Sequence, residues 1–420
     1  MAIATTPRSL AVLLALVSFM NYTDRMVLPA VSQSIKAEFA LSDTTIGLLN
    51  GFVFVALYGF ASLPLARLAD RTSRAKVLAG ALAFWSLATA ACGLVKTFGQ
   101  LMVARACVGI GESACQPVGY ALVSEQFPAA RRNAAMGWFL LGNNLGITAG
   151  FAIGGWLGAH YGWRTAFFVV GVPGVLLAMA LWHYRAPPTT SAQTALQRAA
   201  PTGILVSFAT VLKNPTYRCL VLLSGLYSMT IFGPIAFLPA FFVRSHGLSM
   251  AIVGAMAGAA IGLGMAVGVT FGGAMADRLA QHDGQRPQWL CAGAILLSGL
   301  CFLAVFTLAN TWWAFGFTFL ASALGAVASP VIAAAVQNES PPAMRATAAS
   351  LGTLSVSLMG IGLAPLLIGV LSDALAPQYG KEALRYALLI CLSFCVLTAM
   401  LHVEVARRQR AAHPLNEPAF

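Results

Sequence analysis

Charge is scarce in this chain: Asp, Glu, Lys and Arg make up 9% of its 420 residues, against roughly 25% in an ordinary soluble domain. That shortage excludes a conventional soluble enzyme. Acid is scarcer than base, with 13 Asp plus Glu against 25 Lys plus Arg and a net charge of +12. A nucleic-acid binder would gather such an excess on one folded surface of a far less apolar chain, so no nucleic-acid partner is expected. No Cys-x-x-Cys spacing occurs; the eight cysteines (Cys92, Cys107, Cys115, Cys219, Cys291, Cys301, Cys391, Cys395) fall inside apolar runs and read as buried structural thiols. The six histidines (His160, His183, His246, His282, His402, His413) read as lying at run ends or in loops, and no His-Glu-x-x-His pattern is present. No metal site, resident cofactor or catalytic residue is therefore expected, and the chain does not read as an enzyme.

What is present is apolar sequence: 59% of residues are hydrophobic, the mean hydropathy is +0.79, and 40 glycines suit close helix packing in lipid. A spanning helix needs about 20 apolar residues. Twelve such segments can be marked, centred near Asn21, Val55, Trp85, Gly111, Gly146, Gly174, Ile231, Gly262, Ile295, Ala323, Met359 and Ser393. In the first, the run Leu10–Met20 resembles a secretory signal, but no small-x-small cleavage site follows it. It reads as one uncleaved helix with the polar pentad Asn21-Tyr22-Thr23-Asp24-Arg25 inside. With the amino terminus in the cytoplasm, seventeen Lys and Arg fall on that side and six on the other, leaving Arg25 and Arg105 within spans. The positive-inside rule fixes that orientation. The fold class expected is an all-α membrane protein of twelve transmembrane helices, both termini cytoplasmic.

The sequence repeats internally. Leu41-Ser42, Gly47 and Asp70-Arg71 recur 207 residues later as Leu248-Ser249, Gly254 and Asp277-Arg278. Pro128-Ala-Ala-Arg131 recurs 214 residues later as Pro342-Ala-Met-Arg345. Two pseudo-symmetric six-helix bundles follow, at 1–184 and 216–403. Between them, 185–215 is polar and proline-containing, as expected of a cytoplasmic linker. The basic stretch 404–420 reads as a poorly ordered cytoplasmic tail.

These two repeats, the paired Asp-Arg motifs and the central linker resemble the major facilitator superfamily. Its loop signature is matched at Ala66, Asp70, Arg71, Arg74 and Lys76, with Ser73 in place of glycine, and again at Gly273, Asp277 and Arg278. The resemblance implies helices 1, 4, 7 and 10 around a central cavity. Asp70, Arg71, Arg74, Asp277 and Arg278 read as a conformational latch, pairing across the halves in one state and separating in the other. Within the superfamily the chain resembles the Spinster group of lipid exporters. That likeness rests on Asn21-Tyr22-x-Asp24-Arg25, Arg105-x-x-x-Gly109-x-Gly111-Glu112-Ser113, Tyr161-Gly-Trp-Arg, Phe237-Leu-Pro-Ala-Phe and Arg244-Ser-His-Gly-Leu-Ser. Organic-anion/proton symporters share the first two motifs, so these mark proton coupling better than cargo.

Four of the 38 charged residues lie inside spans: Asp24, Arg25, Arg105 and Glu112. Each costs roughly 2.5 to 3.5 kcal/mol at a helix centre, so four in two helices point to function. Arg105 and Glu112 share a helix face but stand about 10 Å apart along the axis. Adjacent on their helix, Asp24 and Arg25 diverge by about 100°. Burial favours a neutral carboxylic acid and a nearby guanidinium favours the carboxylate. The reading is that Glu112 and Asp24 bind protons and that Arg25 is captured by whichever carboxylate is charged, biasing the conformational equilibrium.

Around this centre, Asn21, Gln116 and Tyr120 extend the charged faces by a turn or two, while Tyr227, Thr230, Thr318 and Ser322 supply polarity from the second half. The second half carries no matching charge, and Trp312, Trp313, Phe315, Phe317 and Phe319 crowd its tenth segment. A polar first half facing an apolar second half suits a lipid-like tail. Glycines every four residues at Gly142 to Gly154 and at Gly254 to Gly262 read as packing seams. The expected function is proton-coupled transport of an amphipathic, lysophospholipid-like or sphingoid-like molecule, driven by the proton gradient. The alternatives are an organic-anion/proton symporter and a hydrophobic drug/proton antiporter. The partners expected are membrane lipids, protons and a small amphipathic or anionic substrate, for a monomer in a bacterial inner membrane.

Overall fold

The computed structural model describes residues 7–127, 129–184, 212–281, 284–340 and 345–412. Helix dominates, and no strand occurs among the described residues. The first half contains α1 (Pro7–Glu38), α2 (Asp43–Gly47), α3 (Val53–Arg71), α4 (Arg74–Cys92), α5 (Phe98–Glu112), α6 (Cys115–Gln126), α7 (Ala129–Tyr161) and α8 (Trp163–Trp182). The second contains α9 (Pro215–His246), α10 (Met250–Ala280), α11 (Arg286–Thr307), α12 (Thr311–Ala326), α13 (Ala328–Asn338), α14 (Arg345–Ser355), α15 (Ala364–Tyr379), α16 (Ala383–Cys391) and α17 (Ser393–Ala412). Among the described residues, nine helices are long and apolar enough to cross a membrane. The chain is a multi-pass membrane protein. α1 and α9 both run toward one end, the far end, where Lys36 and Arg244 meet Asp43, and both start at the opposite one, the terminal end.

The repeat has a local cause. Ser42 accepts a hydrogen bond from the Thr45 amide at the start of α2, and Ser249 accepts one from Ile252 at the start of α10. Both are N-caps satisfying orphan amides. Just before them, Gly247 closes α9 at φ +67° and Ala40, its counterpart, holds φ +51°. Glycine adopts that left-handed conformation freely, whereas alanine is strained in it. Ala40 is exposed, so Ala40→Gly should raise stability by about 0.5 to 1 kcal/mol, read as a higher thermal midpoint in detergent.

Two helices break at equivalent places. α5 stops at Glu112 and α6 starts at Cys115, while α12 stops at Ala326 and α13 starts at Ala328. Proline explains both: Pro117 and Pro330 lack the N–H that would reach the carbonyls of Ser113 and Ala326 four residues back. π-helical turns occupy Leu48–Phe52 and Val356–Leu363. These two turns face each other across the halves, where a Cβ on Gly51 would sit 2.7 Å from the Gly362 carbonyl oxygen.

α7 is sandwiched. A Cβ on Gly150 would lie 2.7 Å from the Met26 side chain of α1, and one on Gly254 would lie 2.9 Å from Gly155, so both seams need glycine to close. The first seam lies within one half; the second, between α7 and α10, joins the halves.

Two expectations need correction, and a third falls outside the described residues. The linker 185–215 lies almost wholly outside the described residues, which resume at Leu212. The stretch from Glu404 is not a loose tail as far as Ala412: α17 continues through it, held by Arg408–Glu404 at 2.7 Å and Gln409–Glu339 at 3.0 Å. His402 is not at a run end but fully buried in α17, paired through Nδ1 with Gln288 Oε1 at 2.7 Å. A polar partner on the adjacent α11 makes that burial tolerable.

Candidate functional site

The polar pentad of α1 faces protein rather than lipid. Asn21, Thr23 and Asp24 are almost completely buried and Arg25 is 9% exposed; Arg105 and Glu112 are equally enclosed. Arg25 donates from Nε to Glu112 Oε2 at 2.9 Å and places Nη2 2.8 Å from the same oxygen. The guanidinium also lies over three rings, 4.8 Å from Phe54, 5.2 Å from Tyr22 and 5.7 Å from Tyr58. This aromatic cage holds a cation with little water.

Asp24 diverges from Arg25 as adjacent helical residues must. Neither of its carboxylate oxygens makes a close hydrogen bond among the described residues. Arg105, Trp85 and Thr89 are the groups that face it, and Glu112 adds a second negative charge nearby. Arg105 in turn rests over Phe54, 5.7 Å from its centroid. The four charges thus form two couples, Arg25 with Glu112 in direct contact and Asp24 with Arg105 through space, sharing the Phe54 ring. The remaining Glu112 oxygen, Oε1, makes no hydrogen bond among the described residues, and Asn21 is a polar neighbour of the carboxylate.

Glu112 is also the last residue of α5, where the helix breaks. Immediately past the break is a cavity of about 300 Å³ lined by Tyr58, Ser62, Gln116, Tyr120, Thr353 and Ser357, among others. Of the residues expected around a substrate, Gln116 and Tyr120 line it, and Tyr120 is fixed edge-on against Phe139 at 5.4 Å. The second-half residues Tyr227, Thr230, Thr318 and Ser322 do not line this cavity. Thr230 donates to the Tyr227 carbonyl and Thr318 to that of Ala314, so both hydroxyl protons are committed within their own helices. Tyr227 turns toward Ser329, and Ser322 is buried elsewhere in α12. The second-half wall comes instead from α14 and the π-turn after it.

Among the described residues, no ion pair joins Arg71, Asp277 or Arg278 to the other half. Arg74 pairs with Glu125 of its own half at 3.0 Å; Arg71, Asp277 and Arg278 are exposed, and the Asp70 side chain lies outside the described set. The halves are tied at the opposite end. Asp43 receives Arg244 through both terminal nitrogens at 2.7 and 2.6 Å, accepts from Ser372 at 2.6 Å, and contacts Lys36. Asp373 accepts from the backbone amides of Asp43 and Thr44 at 2.9 and 2.7 Å. Arg244 Nε also reaches Gln33 Oε1 at 2.8 Å. Sequence reasoning missed this cluster because each member reads as an ordinary loop charge. One signal was available: Asp43 follows the repeated Leu-Ser pair, yet the second copy has uncharged Met250 there.

The Major Facilitator Superfamily is matched at residues 14–361 and 220–419. An MFS-type efflux pump of Mycolicibacterium smegmatis is 31% identical over 386 residues, spanning 90% of this chain and 88% of that protein. The sphingosine-1-phosphate transporter SPNS2 of Danio rerio is 25% identical over 446 residues, spanning 99% and 88%. Among solved structures, a bacterial homologue of the human lysosomal transporter Spinster, inward-facing and unoccupied, superposes with a TM-score of 0.86 at 26% identity, covering 98% of this chain and 99% of that one.

Proposed function

The chain belongs to the Major Facilitator Superfamily, and on that premise we propose that it is a proton-coupled secondary transporter that moves an amphipathic, lipid-like molecule by alternating access. The observation that carries this reading is the buried Arg25–Glu112 pair beside the cavity, whose wall includes Ser113 and Tyr58. A proton on Glu112 removes the charge that holds Arg25, and the freed guanidinium then takes an anionic headgroup; loss of that proton recaptures Arg25 and expels the cargo. Asp24, facing Arg105, is the second carboxylate whose charge the cycle can use. The pair needs no cofactor, since the proton gradient supplies the driving force.

On this reading the helices make twelve crossings of a bacterial inner membrane, with the terminal end in the cytoplasm and a monomer as the working unit. The Asp43 cluster seals the outer end and the cavity serves the cytoplasmic one, an inward-facing state. The lipid preference rests on the likeness to Spinster and on the mainly apolar second half. A second reading, proton-driven efflux of hydrophobic compounds, is favoured by the 31% identity to an efflux pump.

The test is reconstitution in proteoliposomes with a pH-reporting dye and a panel of lysophospholipids, organic acids and hydrophobic cations. Lysophospholipid movement with a matching proton signal is the expected result. Organic acids moving without any lysophospholipid response would overturn the cargo assignment, and transport indifferent to the pH gradient would overturn proton coupling.

A further inference from the structure

Asn50 occupies the π-helical turn Leu48–Phe52, a geometry that collects at functional sites. Its Nδ2 and Oδ1 are both buried, and neither has a hydrogen-bond partner among the described residues. A buried amide left wholly unpaired is rare, because folding removes its water. Asn50 lines a cavity of about 30 Å³ together with Arg25 and Pro29 of the first half and Phe232, Ile235 and Pro365 of the second.

The direction of each helix locates this small cavity relative to the large one. Along α1 the chain runs toward the far end, so Pro29 lies beyond Arg25; along α3 it runs back, so Asn50 lies farther out than Tyr58. In the second half, Pro365 lies farther out than Thr353 and Ser357 for the same reason. Arg25 therefore stands between the two spaces, with the large cavity toward the terminal end and Asn50 on the sealed side. The walls of the small space belong to different halves, so it widens when the halves part at the far end.

We propose that Asn50 is a cargo-binding residue for the far side of the path. When that end opens, its Nδ2 donates to an anionic headgroup oxygen shared with Arg25, and its Oδ1 accepts from a neighbouring hydroxyl or ammonium of the same headgroup. The proposal rests on the transporter reading and adds a recognition residue that acts from one side only. A residue holding the fold would affect both sides alike.

The test uses the full chain in sealed vesicles of each orientation, with tail-labelled lysophosphatidate as probe. Asn50→Ala is expected to raise the KM by about tenfold when probe is offered at the far end, the loss of one hydrogen bond to a charged group, and to leave it unchanged at the terminal end. Asn50→Ser, which keeps a donor and an acceptor, should restore most of the difference. An equal change from both sides, or none from the far side, in vesicles where the unsubstituted protein carries the probe, overturns the Asn50 assignment alone. Failure of the unsubstituted protein to move the probe from either side overturns the lipid reading and the assignment with it.

Discussion

Glu112→Gln is expected to lose pH-driven accumulation by at least about tenfold while still exchanging cargo across the membrane. Glutamine keeps the shape of the side chain and an oxygen that Arg25 can reach, but it carries neither the charge nor the exchangeable proton. Breaking a buried pair on one side typically costs about 3 to 5 kcal/mol, because the remaining charge is stranded. Here Phe54, Tyr22 and Tyr58 surround Arg25 and offset part of that cost, so the variant should fold. On the proposed cycle its Arg25 is then no longer held by a charge and stays available to cargo, which favours exchange over net pumping. Counterflow and pH-jump uptake in proteoliposomes separate the two activities. Full pH-dependent uptake by Glu112→Gln would end the proposed role of this residue.

Asp43→Asn is expected to open the far end. The substitution leaves Arg244 and Lys36 facing a neutral amide, and Ser372 loses an acceptor of full charge. Truncating one partner of a hydrogen-bonded charge pair costs at least about 2 kcal/mol, which corresponds to about thirtyfold in the equilibrium between closed and open forms. Spin labels at Lys96→Cys and Lys381→Cys, one on each half near the far end, should report a longer distance population in Asp43→Asn than in the parent. Unchanged distances would show that the glycine seams alone hold that end shut. Salt should mimic the substitution weakly, since the cluster is only partly exposed and therefore incompletely screened.

The legible part of this protein is what lipid makes expensive. Asp24, Arg25, Arg105 and Glu112 stood out because charge inside an apolar span demands a reason, and the structure buries all four together, with Phe54 against both arginines. Ser42 and Ser249 were visible as a repeat before their shared capping role was known. The obscure part is where the same residue type has two uses. Thr230 and Thr318 looked like cavity polarity, but in a dry interior a hydroxyl bonds its own backbone first, and theirs do. His402 was misread because position within a run says nothing about a partner such as Gln288 on another helix. Asn50 carried no sequence signal, since a π-turn has no simple composition.

In the contact between α7 and α10, glycines of α10 lie against Thr148, Phe151 and Gly155 of α7, and among the described residues no hydrogen bond or ion pair joins those two helices. Such a surface behaves like a bearing: with no directional bonds to break, sliding exchanges one set of dispersion contacts for another at small cost. Angular preference must then come from elsewhere, and the Asp43 cluster at one rim is the charged clasp that supplies it. On the alternating-access reading, a few substitutions at that rim should therefore reset which way the protein rests without repacking a single helix of its interior.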